Sequence, residues 1–192
     1  NKQKIYEIVR DYGNPSNLDP TFPTLRNKDW FVGHSFAAGL FTFEYSRNQE
    51  STSEAVNAYY AMYLLGLVFN DGNMFNMGRI LLQTEVRSSQ KYWQITSESN
   101  IYDQPFCNNK VVGILWETRA DYSTFFGENV EFIHGIQMLP ITPISEDLLP
   151  ASWIQESYQV FKSTYDTASQ GWLGILFSAQ AQFDLSGAIL IF

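Results

Sequence analysis

Soft ligands are scarce in this chain: one cysteine, Cys107, and two histidines, His34 and His134, among 192 residues. A lone cysteine closes no disulfide within the chain, so the redox compartment stays undecided. One cysteine and two histidines far apart in sequence do not make a usual zinc site, and neither a metal nor any other cofactor is expected. Basic residues are few as well, 12 against 20 acidic, for a formal net charge of −8. A phosphate backbone needs clustered Lys and Arg, so nucleic acid is not expected as a partner. The same acidity gives no attraction to anionic lipid. The longest apolar run, Ala58 to Phe69, covers about a dozen positions, short of the ~20 that span a bilayer, so no membrane is expected either. Low-complexity tracts, charge blocks and a DDxxD diphosphate site are all missing. No signal peptide is visible. The chain starts at Asn1 and stops on the apolar run Ala188 to Phe192, and a fragment cut at both ends is the expectation.

What is present is apolar and aromatic. Hydrophobic residues make up 45%, with 15 Phe, 11 Tyr and 5 Trp, which marks a globular chain. That many rings either fill an aromatic-rich core or stack on flat apolar ligand faces.

Helical spacing dominates. Lys2 to Tyr12 reads as a short amphipathic helix. Ala55 to Phe69 is apolar nearly all round, which predicts a helix enclosed on most sides. Asn70-Asp71-Gly72 is a turn signal. Met74, Met77, Gly78, Leu81, Leu82, Val86, Ser89 and Trp93 then recur at helical spacing, with Arg79, Gln83 and Arg87 on a wet face. The pair predicts a helical hairpin with an inner and an outer member. Further helices are expected over Asn129 to Leu139, ended by Pro140 and Pro143, over Ser152 to Tyr165, and across "WLGILFSAQAQF" after Gly171. Between them lie long connections, Gly13 to Asp29, Ile95 to Asn109 and Gly113 to Gly127, rich in Pro, Asn, Gly and aromatic residues. Loops of that length are usually functional. Period-2 alternation is weak throughout. The fold expected is mainly α: stacked hairpins in a toroid whose long aromatic loops surround a groove.

The stretch "NQESTSEAVNAYY" (residues 48 to 60) places Glu50 and Glu54 where that apolar helix begins. Ser51 to Glu54 fits the capping box S-x-x-E, with Ser51 as N-cap and Glu54 reaching back to an orphan backbone N–H. Such a cap is worth ~1 kcal/mol. It accounts for Glu54 and leaves Glu50 without a capping duty, so an acidic pair facing a substrate stands beside it.

"RNKDWFVGHSFAAGLF" (26 to 41) and "SRNQESTSEAVNAYY" (46 to 60) together resemble the signature of the glycoside hydrolase family 81 endo-1,3-β-glucanases. The likeness continues through "NNKVVGILWETRADYSTFFG" (108 to 127) and "VEFIHGIQMLPITPIS" (130 to 145), and fades in about the last thirty residues. The resemblance implies that residues 1 to 192 form part of one catalytic (α/α)6 domain, preceded in the family by a β-sandwich and a small linking domain. It implies inverting hydrolysis of internal β-1,3-glucosidic bonds in laminarin or cell-wall glucan, and a secreted, extracellular protein. The family's general base falls on Glu50, and Glu54 on its supporting carboxylate. The family's general acid is an aspartate in an NDHHFHYG-like motif upstream, which this sequence does not contain.

Inversion needs the two carboxyls ~6.5–9.5 Å apart to admit a water. Glu50 and Glu54 on adjacent helical turns would have Cβ atoms only ~5–6 Å apart, so they read as one cluster rather than acid plus base. For Asp29 and His34 the resemblance further implies sugar contacts or support of the acidic cluster, and Asn48 is a further candidate for glucan binding. For His34 a hydrogen-bonded structural histidine is the plain alternative, and for His134 a core position weighs against a groove wall. Trp30, Tyr59, Tyr60, Trp116, Tyr122 and Phe126 are candidate stacking platforms, each with packing as the alternative. Phe36 stands where relatives carry Trp, Arg119 where Lys is common, and "SAQAQFDL" (178 to 185) departs from the family pattern. A glucan-binding protein of the plant elicitor-binding kind, on the same scaffold, is the alternative function.

Overall fold

The structure, a computed structural model, describes residues 1–36, 38 and 43–189. It is mainly helical. Helix α1 (Lys2–Gly13) is followed by a 3₁₀ turn (Thr24–Arg26) and then by a two-residue strand β1 (Asn48–Gln49). Then come the two long helices, α2 (Thr52–Phe69) and α3 (Gly72–Tyr92). Strands β2 (Ile114–Trp116) and β3 (Ala120–Asp121) follow, and five helices complete the order. These are α4 (Val130–Gly135), α5 (Ser145–Leu148), α6 (Ala151–Phe161), α7 (Gln170–Gln180) and α8 (Leu185–Ile189).

The α2–α3 hairpin is built by its ends and its glycines. Asn70 closes α2 in the left-handed region (φ 53°, ψ 43°), which Asn tolerates better than most residues. Asp71 caps α3, its carboxylate accepting from the N–H groups of Asn73 and Met74 at 3.1 and 3.0 Å. The same carboxylate accepts from the Tyr6 hydroxyl at 2.7 Å and so ties α1 to the turn. The helices then touch at backbone distance. A Cβ on Gly66 would sit 2.3 Å from the Phe75 nitrogen, and one on Gly78 2.5 Å from the Tyr63 nitrogen. Only glycine permits either approach.

One face of α2 enters the core through Val56, Tyr59 and Met62, beside Leu81 and Leu82 of α3 and Trp153, Ile154 and Phe161 of α6. Each such side chain, fully buried, contributes ~1.5–3 kcal/mol of hydrophobic stabilisation. The opposite face corrects the expectation of an enclosed helix: Leu64, Leu67 and Val68 are exposed. All-round apolarity reports what a helix can bury, and this chain covers only part of it.

Two further differences have local causes. The helix expected over Asn129 to Leu139 stops at Gly135. Pro140 has no N–H to offer the Ile136 carbonyl, which is taken instead by the hydroxyls of Ser51 and Ser53 at 2.9 and 3.0 Å. The Gly113–Gly127 connection is not all loop, because β2 pairs antiparallel with both β1 (Asn48↔Trp116) and β3 (Leu115↔Ala120). Strands of two or three residues are too short to show alternation. This small sheet sets residue 50 at the entrance of α2.

Candidate functional site

Strand β1 and the N-terminal end of α2 form one wall of a groove of ≈ 460 Å³, lined among others by Tyr12, Arg26, Asn48, Glu50, Glu54, Tyr59 and Phe125. Glu50 precedes the Ser51 cap and is therefore not on a helical turn adjacent to Glu54, so the helical spacing expected between them does not apply. Its position is held twice. The Phe125 backbone N–H donates to Oε1 at 2.8 Å. The Glu50 carbonyl accepts from Nε2 of Gln137. That buried amide also donates to the Gly113 carbonyl at 3.0 Å. Its Oε1 accepts from the Thr52 N–H and hydroxyl at 3.2 and 3.0 Å. Every hydrogen-bonding site of Gln137 is used.

Oε2 of Glu50 has no protein partner among the described residues, and Glu50 lines the open groove. Partial burial raises its carboxyl above the ordinary range; the Phe125 bond opposes this and the charge of Glu54 adds to it. A carboxylate so placed is a stronger base than one in water. Glu54 is exposed in the first turn of α2, and its N–H donates to Ser51 Oγ at 3.2 Å. The forward half of the capping box is thus formed. The Glu54 carboxylate lies free on the groove wall rather than turned back to the cap.

Beneath the groove runs a buried polar chain. The Tyr59 hydroxyl donates to Ser35 Oγ at 3.0 Å, and Ser35 donates to Oε1 of Gln49 at 3.2 Å. Gln49 Nε2 donates to Glu85 at 2.6 Å, and the other Glu85 oxygen lies 3.5 Å from the Lys28 ammonium. Burial pushes Glu85 up and Lys28 down, each opposed by the charge of the other. Burial also raises the Tyr59 phenol, which stays a neutral donor. Asn48 is almost fully buried, and its Nδ2 has no partner among the described residues.

The remaining candidates separate. Asp29, His34 and Trp116 line a second cavity of ≈ 510 Å³. Asp29 Oδ1 accepts from the Phe31 N–H at 2.8 Å and shapes the turn. His34 is buried against Phe36 and Trp93, both at ring-centroid distances of 4.9 Å. Its Nδ1 is 2.9 Å from Ser88 Oγ. Burial first, then the charge of Lys28, lowers it to about 4. Trp30 is half exposed beside this region. Tyr60 stacks on Tyr63 along α2 at 6.3 Å. His134 is fully enclosed, with Nδ1 2.8 Å from Ser157 Oγ and Nε2 3.4 Å from the Tyr122 hydroxyl. Burial lowers its imidazole to about 3, and no solvent-borne ligand reaches it. Phe126 stacks on Trp172 at 6.0 Å.

Sequence reasoning passed over Gln137, Gln49, Lys28, Glu85 and the Phe125 N–H. Glu85 carried a readable signal, being a charge four residues after Leu81 on the buried face of α3. Gln137 is likewise a lone amide in the apolar run Ile133 to Leu139. The Phe125 bond had no such signal, because any residue but proline supplies that donor. No group of three or more His, Cys, Asp and Glu suited to a metal occurs among the described residues. No helix is long and apolar enough to cross a membrane among them.

Residues 1–192 match the family model described as the glycosyl hydrolase family 81 C-terminal domain. The chain is 35% identical over 185 residues to the glucan endo-1,3-beta-D-glucosidase 2 of Saccharomyces cerevisiae, covering 96% of this chain and 24% of that protein. It is 36% identical over 179 residues to the primary septum glucan endo-1,3-beta-D-glucosidase of Schizosaccharomyces pombe, covering 93% and 18% respectively. A glycoside hydrolase family 81 structure from Clostridium thermocellum superposes with a TM-score of 0.80 at 27% identity, over 98% of this chain and 26% of that one. The chain therefore spans about a quarter or less of each of these relatives.

Proposed function

The chain belongs to glycoside hydrolase family 81, and on that premise we propose that it is part of the catalytic domain of an inverting endo-1,3-β-glucanase in which Glu50 is the general base. The observation that carries this reading is the state of Glu50, a residue on the groove wall: one carboxylate oxygen held by the Phe125 N–H, the other without a protein partner among the described residues, and the proton affinity raised by burial.

In the mechanism, Oε2 of Glu50 takes the proton of a water that attacks the anomeric carbon from the face opposite the leaving oxygen. Phe125 and Gln137 fix the direction from which the base acts. Glu54, on the same wall, keeps the affinity of Glu50 for a proton high and offers a second acceptor to that water. Asn48 and Tyr59 lie behind the groove wall, almost fully buried, and the Tyr59 hydroxyl is committed to Ser35, so both support the wall rather than touch the sugar. Among the described residues Glu50 and Glu54 are the carboxylates that line the groove, and the family resemblance implies that the general acid is an aspartate from an upstream segment.

The substrate is a β-1,3-glucan of the laminarin or cell-wall type, and the site of action is extracellular. The septum glucanase among the relatives favours a cell-wall role. The uncovered apolar faces of α2 and α3 (Leu64, Leu67, Val68 and Ile80) favour an (α/α)6 toroid, in which neighbouring hairpins would cover them.

The test measures reducing ends released from laminarin by the full-length protein, with NMR following the anomer first formed. The expected result is the α-anomer, lost by at least ~10²-fold in Glu50→Gln. Near-normal turnover by Glu50→Gln ends the assignment. Tight laminarin binding with no hydrolysis by the unaltered protein would identify a glucan-binding protein instead.

A further inference from the structure

Helix α3 carries a charge pattern opposite to that of the chain. The sequence holds 20 acidic residues against 12 basic, for a net charge of −8. Yet the one acid of α3, Glu85, is buried, while its cations Arg79, Arg87 and Lys91 are exposed. The outer face of this helix is therefore purely basic on an acidic protein. Elsewhere arginines are paired, Arg10 with Asp19, Arg26 with Asp11, Arg47 with Glu117 and Arg119 with Asp121. Arg87 and Lys91 have no carboxylate partner among the described residues, and Lys91 lies over the Tyr92 ring at 5.5 Å.

Beside these two cations stands an aromatic turn. Phe31 is 94% exposed and Trp30 half exposed, although burial would stabilise both rings. The turn is rigidly built. Asp29 Oδ1 accepts from the Phe31 N–H at 2.8 Å, and the Asp29 carbonyl accepts from the Gly33 N–H at 2.8 Å. The buried Lys28 ammonium donates to the Gly33 carbonyl at 2.7 Å and lies 5.6 Å from the centre of the Trp30 ring. The rings are thus placed before any partner arrives, which reduces the ordering that binding requires.

Between the turn and α3 lies a cleft of ≈ 210 Å³, lined among others by Trp30, Phe31, Arg87 and Lys91. That is below the ~300–1,000 Å³ of small-molecule sites and suits a single side chain. The hydroxyls in its wall are engaged. Thr84 donates to the carbonyls of Ile80 and Leu81 at 2.9 and 3.1 Å, and Ser88 Oγ lies 2.9 Å from His34 Nδ1. What the cleft offers is ring faces and two cations, which fits an apolar side chain flanked by carboxylates rather than a neutral sugar. The acidity of the remaining chain does not prevent this, because charges beyond ~8 Å are largely screened at physiological salt.

We infer that the cleft between the Trp30–Phe31 turn and α3 docks an acidic segment of a partner polypeptide, whose aromatic or aliphatic side chain enters between the rings while its carboxylates pair with Arg87 and Lys91. Aromatic rings and arginine are the groups that dominate such interfaces. The docking makes no use of Glu50 or its groove.

Fluorescence anisotropy of a labelled Glu-Glu-Phe repeat peptide, titrated with the full-length protein, measures this binding, with a Lys-Lys-Phe repeat as control. The acidic peptide is expected to bind, and the basic one not to. Arg87→Glu with Lys91→Glu alters two exposed side chains that hold nothing in place, so the melting temperature stays near that of the parent. This variant is expected to weaken the acidic peptide by about tenfold or more and to admit the basic one. Phe31→Ser is expected to weaken the acidic peptide as well, and added salt to weaken it in the parent. Absence of binding by the acidic peptide, or equal affinity across these variants, overturns the inference. Displacement of the peptide by laminaritetraose overturns it in favour of a sugar site. Self-association of the protein that Arg87→Glu with Lys91→Glu abolishes overturns it in favour of a second copy of the chain.

Discussion

The backbone N–H of Phe125 and Oε1 of Glu50 meet at 2.8 Å across 75 positions of sequence. A charge-assisted bond from a backbone donor is shorter and stronger than one between neutral groups, and its direction is set by the loop after β3 rather than by a mobile side chain. Thr124 fixes that loop, its N–H and hydroxyl both donating to the Gly127 carbonyl at 2.9 and 2.7 Å. The orientation of the candidate base is therefore inherited from a four-residue turn.

The pH profile of the full-length protein reports the carboxyl so held. A base works only when deprotonated, so kcat/KM falls on the acid side as pH drops through the raised value of Glu50. Glu54 contributes to that raising through its charge. Glu54→Gln removes the charge, and the acid limb is expected to move to lower pH, which initial rates across pH 3 to 7 would record. An unmoved limb means that the two carboxylates do not interact.

Gln137 is expected to matter more than its lack of chemistry suggests. Gln137→Leu keeps the volume and leaves the Thr52 N–H and the Gly113 carbonyl without partners, each at ~1–3 kcal/mol. The Glu50 backbone also loses its anchor. The expected outcome is a lower melting temperature together with a kcat reduced by about tenfold and a KM moved little. A KM effect alone would place Gln137 in binding rather than in positioning the base.

How far the sequence discloses this arrangement depends on the range of each interaction. The α2–α3 hairpin is legible because its determinants are local: Ser51, the Asn70-Asp71-Gly72 turn and the stripe from Met74 to Trp93 lie within a few turns of what they specify. The small sheet is not, since Asn48 meets Trp116 through backbone groups that every residue carries. The separation of His34 and Trp116 from Glu50 is also illegible. Residues 29 to 34 lie closer in sequence to Glu50 than Phe125 does, yet Phe125 reaches the groove and they do not. Solvent exposure of Leu64, Leu67 and Val68 lies beyond any pattern, because apolarity states a preference and not what is there to satisfy it.

Lys28 and Glu85 form a buried ion pair at 3.5 Å, both side chains without solvent exposure. Breaking such a pair from one side strands a charge and costs ~3–5 kcal/mol, whereas replacing both partners by apolar groups is often neutral. Glu85→Met alone is expected to lower the melting temperature sharply, and Lys28→Met with Glu85→Met to recover part of the loss, since the Gly33 carbonyl loses the Lys28 ammonium at 2.7 Å and Gln49 Nε2 still lacks Glu85. Thermal unfolding of the two single variants and the double variant closes the cycle. Turnover need not recover in the double variant, because the Gln49 side chain would still lack its acceptor on Glu85. Recovery of stability without activity would show that the chain from Glu85 to Tyr59 serves the groove as well as the fold.

The two histidines give the protein a stability that depends on pH with a definite sign. Burial lowers His34 to about 4 and His134 to about 3, from an ordinary value of 6.5. Between 6.5 and 4 the unfolded chain binds protons on both that the folded chain excludes. Stability contributed by them is complete above pH 6.5 and is lost as pH falls, at up to ~1.4 kcal/mol per pH unit for each histidine. The raised carboxyls of Glu50 and Glu85 act in the opposite sense, since stability is lost as pH rises through their folded values. The two effects therefore need a variant to separate them. His134→Phe with Ser157→Ala removes both partners of the 2.8 Å bond; the Tyr122 hydroxyl also loses its 3.4 Å contact to Nε2, a cost that does not vary across this pH range. Urea unfolding of this variant and its parent at pH 4.5, 5.5 and 6.5 is expected to show a shallower acid loss in the variant, by one proton's worth of slope. Equal slopes would mean that His134 takes up its proton without unfolding, and that its enclosure between α4 and α6 opens in acid.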